Sequence, residues 1–287
     1  MILVTGATGH VGGTVLGRLV SLGHDVVAMV RDRQTAAERL PPRVSLRVAD
    51  YDDAIALRRA FAGIDHIVLI SSDGDANTVM RHHANAIEAA AAAGARHIVF
   101  TSIVDVDDRS AFYFAPVYRD AERRLAVCGV PTTILRCGLY CEFILDHWLS
   151  PSQASGELAL PAGEGRVAPI SRDDVAAAIA AAAAGSGKTA NIHVLTGSPA
   201  LGFGEMTAIY GDTRASQVSY RPCGTDEYWA GAAAQLDDPW PLAFSTLCTS
   251  IAEGRYSEVS DDFFVLTGRA PESFRDFLRR AASAAKA

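Results

Sequence analysis

Lysine is almost absent. Lys188 and Lys286 are the only two in 287 residues, so 24 of the 26 basic residues are arginine. No basic run occurs, and the formal charge is -7 with a pI near 5.6. Phosphate-rich partners demand concentrated positive charge, so neither nucleic acid nor an anionic membrane surface is an expected partner. Long apolar runs are missing too: the longest, Val175 to Ala184, is alanine-rich and too short to cross a bilayer. The chain opens on an apolar strand rather than on a charged segment and apolar core, so no secretory signal is expected and a cytoplasmic protein is. Cysteine is scarce and unpatterned. Cys128, Cys137, Cys141, Cys223 and Cys248 form an odd set without a CxxC pair or a nearby histidine cluster, which leaves neither a disulfide framework nor a metal site to expect. Cys137 and Cys141 stand one helical turn apart, a spacing open to a redox or metal pair, but small buried thiols are the plainer reading.

What is present is a large apolar fraction, 49% of the chain, enough for one globular unit or two small ones. The opening stretch Leu3-Val-Thr-Gly-Ala-Thr-Gly-His-Val-Gly-Gly13 organises the rest. Met1 to Val4 reads as a strand, the glycines force a turn, and Val11, Val15, Leu16, Leu19 and Val20 recur at helical spacing. In such a unit Gly6 takes backbone angles a side chain forbids, Gly9 lets the main chain approach a pyrophosphate, and Gly12 lets the helix sit close to the strand. The amides of Gly6, Thr8, Gly9, His10 and Val11 are therefore candidate cofactor contacts at the positive end of a helix. The spacing is GxxGxxG, one residue longer before its second glycine than the commoner GxGxxG.

Further strands are expected at Asp25 to Val30, Ser45 to Ala49, His66 to Ile70, Arg96 to Phe100 and Pro131 to Leu135, alternating with helices at Asp52 to Ala62, Asn77 to Ala93 and Tyr113 to Val127. Near-continuous apolar strands alternating with helices predict a doubly wound parallel sheet of the Rossmann type, an α/β fold. Ligands bind outside the carboxyl ends of such strands, which makes Arg31, Asp50, Ser71, Ser72, Thr101 and Ser102 candidate cofactor residues on one rim. An acid after the second strand favours NAD(H), whereas arginine pairs with the 2′-phosphate of NADP(H). Arg31 points to NADP(H) and the neighbouring Asp32 pulls toward NAD(H). From Ser150 onward Pro151, Gly156, Pro161, Gly163 and Gly165 mark loops. The expected division is residues 1–149 for the dinucleotide and 150–287 for a smaller mixed α/β, substrate-binding part, with segments free to return to the first. That part holds a helix from Ser171 to Ala184, opened by Ser171 or Asp173, strands at Asn191 to Leu195 and Gln217 to Tyr220, and aromatic-rich helices. Gly185-Ser-Gly-Lys-Thr189 imitates the end of a P-loop, but Ala182 stands where the first glycine belongs and a helix precedes it, so a plain loop is expected.

The segments Val4 to Gly12, Val30-Arg31, Ala49-Asp50-Tyr51, His97 to Ser102 and Leu135 to Phe143 resemble the NmrA-like branch of the atypical short-chain dehydrogenases/reductases, nearest its quinone oxidoreductases and triphenylmethane reductases. The likeness spans most of the chain and is strongest up to about Ser186. Ordinary short-chain reductases use a Tyr-x-x-x-Lys pair, in which lysine lowers the tyrosine pKa. Here Tyr113 is followed four residues later by Val117, Tyr118 by Glu122 and Tyr140 by Ile144, and the two lysines fall in a loop and a tail. The resemblance places Tyr118 where relatives often carry histidine, Glu122 on their glutamate, Cys137 on a frequent asparagine, and His10 on a glutamine beside the phosphates. Tyr118 is thus the candidate catalytic residue, as proton donor or stacking surface, with packing against its helix neighbours as the competing role. Tyr140 and Phe143 are the candidate substrate contacts. The implied activity is NADPH-dependent hydride transfer to a quinone, polycyclic ketone or other conjugated aromatic acceptor by a monomer or homodimer. A non-catalytic NADP(H)-sensing regulator and a natural-product tailoring ketoreductase are the alternatives.

Overall fold

The computed structural model describes residues 1–41, 43–185, 192–214 and 217–284. Its centre is a parallel sheet built from β1 (Ile2–Val4), β2 (Val26–Val30), β3 (Ser45–Val48), β4 (His66–Leu69), β5 (His97–Ile103), β6 (Thr132–Cys137) and a last strand, Ile192–Leu195. Spatial order is β3-β2-β1-β4-β5-β6 followed by Ile192–Leu195, and every neighbour pair is parallel. Side chains alternate across each strand. Val4, Ala28 and Val68 face helix α1 (His10–Ser21) and helix Arg172–Ala184, while Leu3, Val27 and Ile67 face the opposite helices α3 (Ala54–Phe61), α4 (Ala76–Ala92) and α5 (Ala115–Val127). Both faces are thereby covered, which is why the central strands β1 and β2 are apolar and buried at every position.

Helix starts carry their own chemistry. The carboxylate of Asp53 accepts from the Ile55 and Ala56 amides and so caps α3. The sequence alone allows Asp50 or Asp52 in that role, but Asp50 accepts from the Asp52 amide at 2.9 Å and Asp52 pairs with Arg81 at 2.7 Å. Ser171 caps the helix Arg172–Ala184 by accepting from the Asp174 amide at 3.1 Å. A short helix α2 (Arg33–Arg39), not anticipated above, follows β2 and is capped by Asp32, which accepts from the amides of Gln34 and Thr35. The helix expected from Tyr113 begins at Ala115, with Pro116 in its first turn.

Past residue 150 the chain divides its loyalty. Helix Arg172–Ala184 lies on α1, Ile192–Leu195 extends the large sheet, and helix Asp262–Thr267 packs on both. A second core holds Trp148, Leu158, Phe203, Tyr210, Leu247, Ile251 and Phe277. It surrounds strand Glu157–Leu160, parallel to Ser219–Pro222, and Arg166–Val167, antiparallel to Leu201–Gly202. Packing on α1 draws the helix Arg172–Ala184, and hydrogen bonding to β6 draws the strand Ile192–Leu195, back into the first layer. The P-loop look-alike beyond Gly185 and both lysines lie outside the described residues. Among the described residues no helix is long and apolar enough to cross a membrane.

Candidate active site

The turn after β1 is built around one near-contact. A Cβ placed on Gly12 falls 2.2 Å from the Gly6 carbonyl oxygen, so only glycine lets α1 seat this close to the strand. Gly6 itself has φ +58, in the region that penalises side chains. Gly9 stands at the cap of α1 with no side-chain hydrogen bond, leaving the amides of the first turn without a side-chain acceptor at the positive helix end. These amides open onto a cleft of about 740 Å³ along the carboxyl ends of the strands.

All the residues singled out from the sequence line that one cleft: Gly6, Thr8, Gly9, His10 and Val11 at the turn, Arg31 and Asp50 past β2 and β3, Ser71, Ser72, Thr101 and Ser102 past β4 and on β5, and Tyr118, Tyr140 and Phe143 farther in. Their hydrogen bonds differentiate them. Thr101 Oγ1 accepts from the Ser71 amide at 3.0 Å and fixes the β4 exit against β5. Ser102 Oγ donates to Glu122 at 2.6 Å, and Glu122 is in turn gripped by Arg136 Nε and Nη2 at 3.0 and 2.6 Å. The His10 ring lies 3.1 Å from Asp173, tying the start of α1 to the start of the helix Arg172–Ala184. Asp50 Oδ1 accepts from the Asp52 amide at 2.9 Å, and His82 Nδ1 lies 2.8 Å from Ser72 Oγ. Asp50, Asp52 and His82 converge to within 4.8 Å, but Asp52 is already spent on Arg81.

Tyr118 is held from beneath. Its hydroxyl donates to Ser71 Oγ at 3.0 Å, and the same oxygen lies 2.9 Å from His83 Nε2. His83 and Phe100 pack against the Tyr118 ring at tilted angles and meet each other edge to face. Burial pushes the phenol up to about 12, and burial followed by repulsion from His82 pushes His83 down to about 4, so both are neutral at pH 7. Burial also raises the Tyr140 hydroxyl well above its ordinary value and the Cys137 thiol to about 12. Cys137 and Cys141 are buried thiols packed in separate cores, not a redox pair in the open.

Of the aromatics in the C-terminal helices, Trp240 and Phe244 among them, the sequence leads one to expect a mostly buried set with a minority lining a pocket, and it does not say which. Phe112 and Phe114, ahead of α5, join Trp240, Phe244 and Leu247 of helix Trp240–Ala252, and Tyr256, in lining the same cleft as the glycine turn. Phe143 meets Phe244 edge to face with ring centres 5.0 Å apart. Arg39, from the unanticipated α2, stands on the same rim as Arg31. Asp32, by contrast, is turned into its helix, where the Thr35 hydroxyl first and then the amides hold its carboxylate below the usual range.

A Rossmann sheet whose first turn presents free amides to a cleft walled by aromatics defines a dinucleotide-dependent oxidoreductase. Residues 6–185 match the family described as NAD(P)H-binding, and the chain belongs to it. It is 32% identical to quinone oxidoreductase 2 of Escherichia coli (strain K12) over 226 residues, 77% of this chain and 77% of that protein. It is also 32% identical to the (4-alkanoyl-5-oxo-2,5-dihydrofuran-3-yl)methyl phosphate reductase of Streptomyces griseus subsp. griseus, over 99% of both chains. The triphenylmethane reductase of Citrobacter sp. complexed with NADP(H) superposes with a TM-score of 0.90, at 28% identity, covering 98% of this chain and 100% of that one. The protein is an NAD(P)H-dependent oxidoreductase of the NmrA-like kind, as the resemblance implied.

Proposed function

We propose that the protein is a cytoplasmic, NADPH-dependent reductase of a quinone, polycyclic ketone or other conjugated aromatic acceptor, and that it works without a Tyr-x-x-x-Lys pair. The observation that carries this reading is the meeting of two unlike linings in one cleft: the glycine turn with Arg31 and Arg39, and the rings of Phe143, Phe244, Trp240 and Phe114. The relatives named above, a quinone oxidoreductase and a triphenylmethane reductase bound to NADP(H), support the same substrate class and cofactor.

The turn Gly6 to Gly12 holds a diphosphate, the rim hydroxyls of Ser71 and Thr101 position the remainder, and Arg31 with Arg39 meets a 2′-phosphate. Asp32, occupied in capping α2, does not compete for the ribose, which favours NADP(H) over NAD(H). The dihydronicotinamide supplies the hydride when bound. The protein's share is to align donor and acceptor carbons and to exclude water. Tyr118 keeps its proton and directs it to Ser71 rather than into the cleft, so it serves as a flat wall more than as an acid. Conjugated acceptors suit such a site because the negative charge spreads over the substrate. The test is NADPH oxidation with a panel of quinones and dyes: turnover of at least one acceptor is expected, and tight NADPH binding without turnover of any would overturn the reading. The end-to-end match to the S. griseus enzyme supports a second, narrower reading as a tailoring ketoreductase, since that relative's named substrate is an oxo-dihydrofuran phosphate.

A further inference from the structure

Among the described residues, Arg172 lines the cleft with no carboxylate paired to its guanidinium. Arg172, first residue of the helix Arg172–Ala184, is half-buried and lines the cleft, its guanidinium carbon 5.5 Å from the centre of the Tyr140 ring. Carboxylates crowd this helix start, yet each is engaged elsewhere. Glu142 accepts the Arg172 backbone N–H on both oxygens, at 3.1 and 3.0 Å. Asp173 lies 3.1 Å from the His10 ring and 3.0 Å from Arg280. Asp174, buried, takes Arg269 at 2.6 Å and the Glu272 amide at 2.7 Å. Among the described residues no carboxylate oxygen lies within 4.0 Å of the Arg172 guanidinium, whereas Arg136 is clamped at 2.6 Å. Two of the helix's first amides are also engaged, that of Arg172 on Glu142 and that of Asp174 on the Ser171 cap. A half-desolvated guanidinium without a partner is costly unless a ligand brings the negative charge.

We propose that Arg172 is the charge-selecting residue of the acceptor site, its guanidinium set to meet the oxygen on which negative charge develops as a neutral conjugated carbonyl is reduced. The inference rests on the reductase reading above. When such a carbonyl compound takes a hydride at carbon, a π electron pair moves onto its oxygen, and a proton from water completes the product, with NADPH oxidised as the hydride source. Arg172 stabilises that oxyanion by proximity and gives up no proton of its own. The Tyr140 ring beneath it holds the guanidinium in place through its π face. A cationic dye loses positive charge on taking hydride, so Arg172 opposes its binding.

The experiment compares wild type, Arg172→Met and Arg172→Lys on a neutral naphthoquinone, an anthraquinone sulfonate and a triarylmethane cation, with NADPH affinity measured by calorimetry. Arg172→Met is expected to lower kcat/KM for the neutral and anionic acceptors by about 10- to 100-fold, below or at the lower edge of losing a fully buried oxyanion donor. It is expected to raise that for the cation, and Arg172→Lys should restore the order in part. NADPH affinity should change less than about twofold, a shift within the noise of a surface substitution. Direct titration of the sulfonate and the cation onto the NADP+-loaded protein should show the same reversal of sign without turnover. Equal losses for all three acceptors, or a large fall in NADPH affinity, would overturn the proposal and assign Arg172 to packing or to the cofactor. If no acceptor is turned over by wild type, the reductase reading fails by itself, and the dye titration still decides the charge preference.

Discussion

At the scale of single residues, the site depends on which charges are free and which are occupied. Arg31 and Asp32 are adjacent in sequence and opposite in implication, and capping decides between them, because an aspartate accepting two amides at a helix start has no geometry left for a ribose. Arg31→Ala is expected to weaken NADPH by tenfold or more, about 1.4 kcal/mol or above, while leaving NADH within about twofold; equal losses for both would remove the 2′-phosphate role. Tyr118→Phe should slow turnover by less than the roughly 10²- to 10⁴-fold cost of deleting a general acid, since its proton is bonded to Ser71. A larger loss would restore Tyr118 as the donor. His83 sets a pH dependence of stability. Its folded pKa of about 4 lies below the ordinary 6.5, so between these values the unfolded chain takes up a proton that the native chain refuses. Stability therefore falls as pH drops from 6.5 toward 4, by up to about 3 kcal/mol from this group. His83→Gln, whose side-chain amide can either donate to or accept from Ser71, should flatten that acid limb in denaturant titrations at pH 7.5 and 5; an unchanged slope would show that other groups govern it.

At the scale of elements, the glycine turn is a packing device as much as a phosphate cradle. A methyl group at Gly12 meets the carbonyl oxygen and carbon of Gly6 at 2.2 and 2.7 Å, backbone atoms that cannot rotate away. Gly12→Ala must push α1 off the sheet, and we expect a loss of about 1–3 kcal/mol in stability together with loss of NADPH binding. Thermal unfolding and calorimetry check both, and retained affinity in a destabilised protein would separate the two roles of the turn. Much of this element was readable beforehand, because strand, glycine turn and amphipathic helix are each specified by local residues. Helix α2 was not, because seven residues after Asp32 carry too little periodicity to stand out, and the α3 cap passed from Asp52 to Asp53 because Arg81, distant in sequence, claims Asp52.

At the scale of the whole molecule, the aromatic wall comes from segments far apart in the chain. Phe143 follows β6, Phe112 and Phe114 precede α5, and Trp240 and Phe244 arrive from a helix some hundred residues later. Phe244→Ala is expected to raise KM for a quinone about tenfold, the order expected for losing part of a buried ring, without altering NADPH affinity; an effect on the cofactor instead would place the acceptor elsewhere. The strand Ile192–Leu195 shows the same dependence on distance, since it completes the large sheet beside β6 although strands of the second core lie between the two in sequence.

By itself the amino-acid order determined the strand alternation, the glycine turn and the rim of polar residues at strand ends, because each rests on side-chain periodicity or on backbone freedom within a few residues. Only the tertiary structure decided that Asp32 is turned away, that Tyr118 bonds inward to Ser71, that Arg172 has no carboxylate partner among the described residues and that a helix from the C-terminal part walls the cleft. Those outcomes depend on which groups from remote segments arrive first at a given charge or apolar surface, and no local pattern encodes that competition.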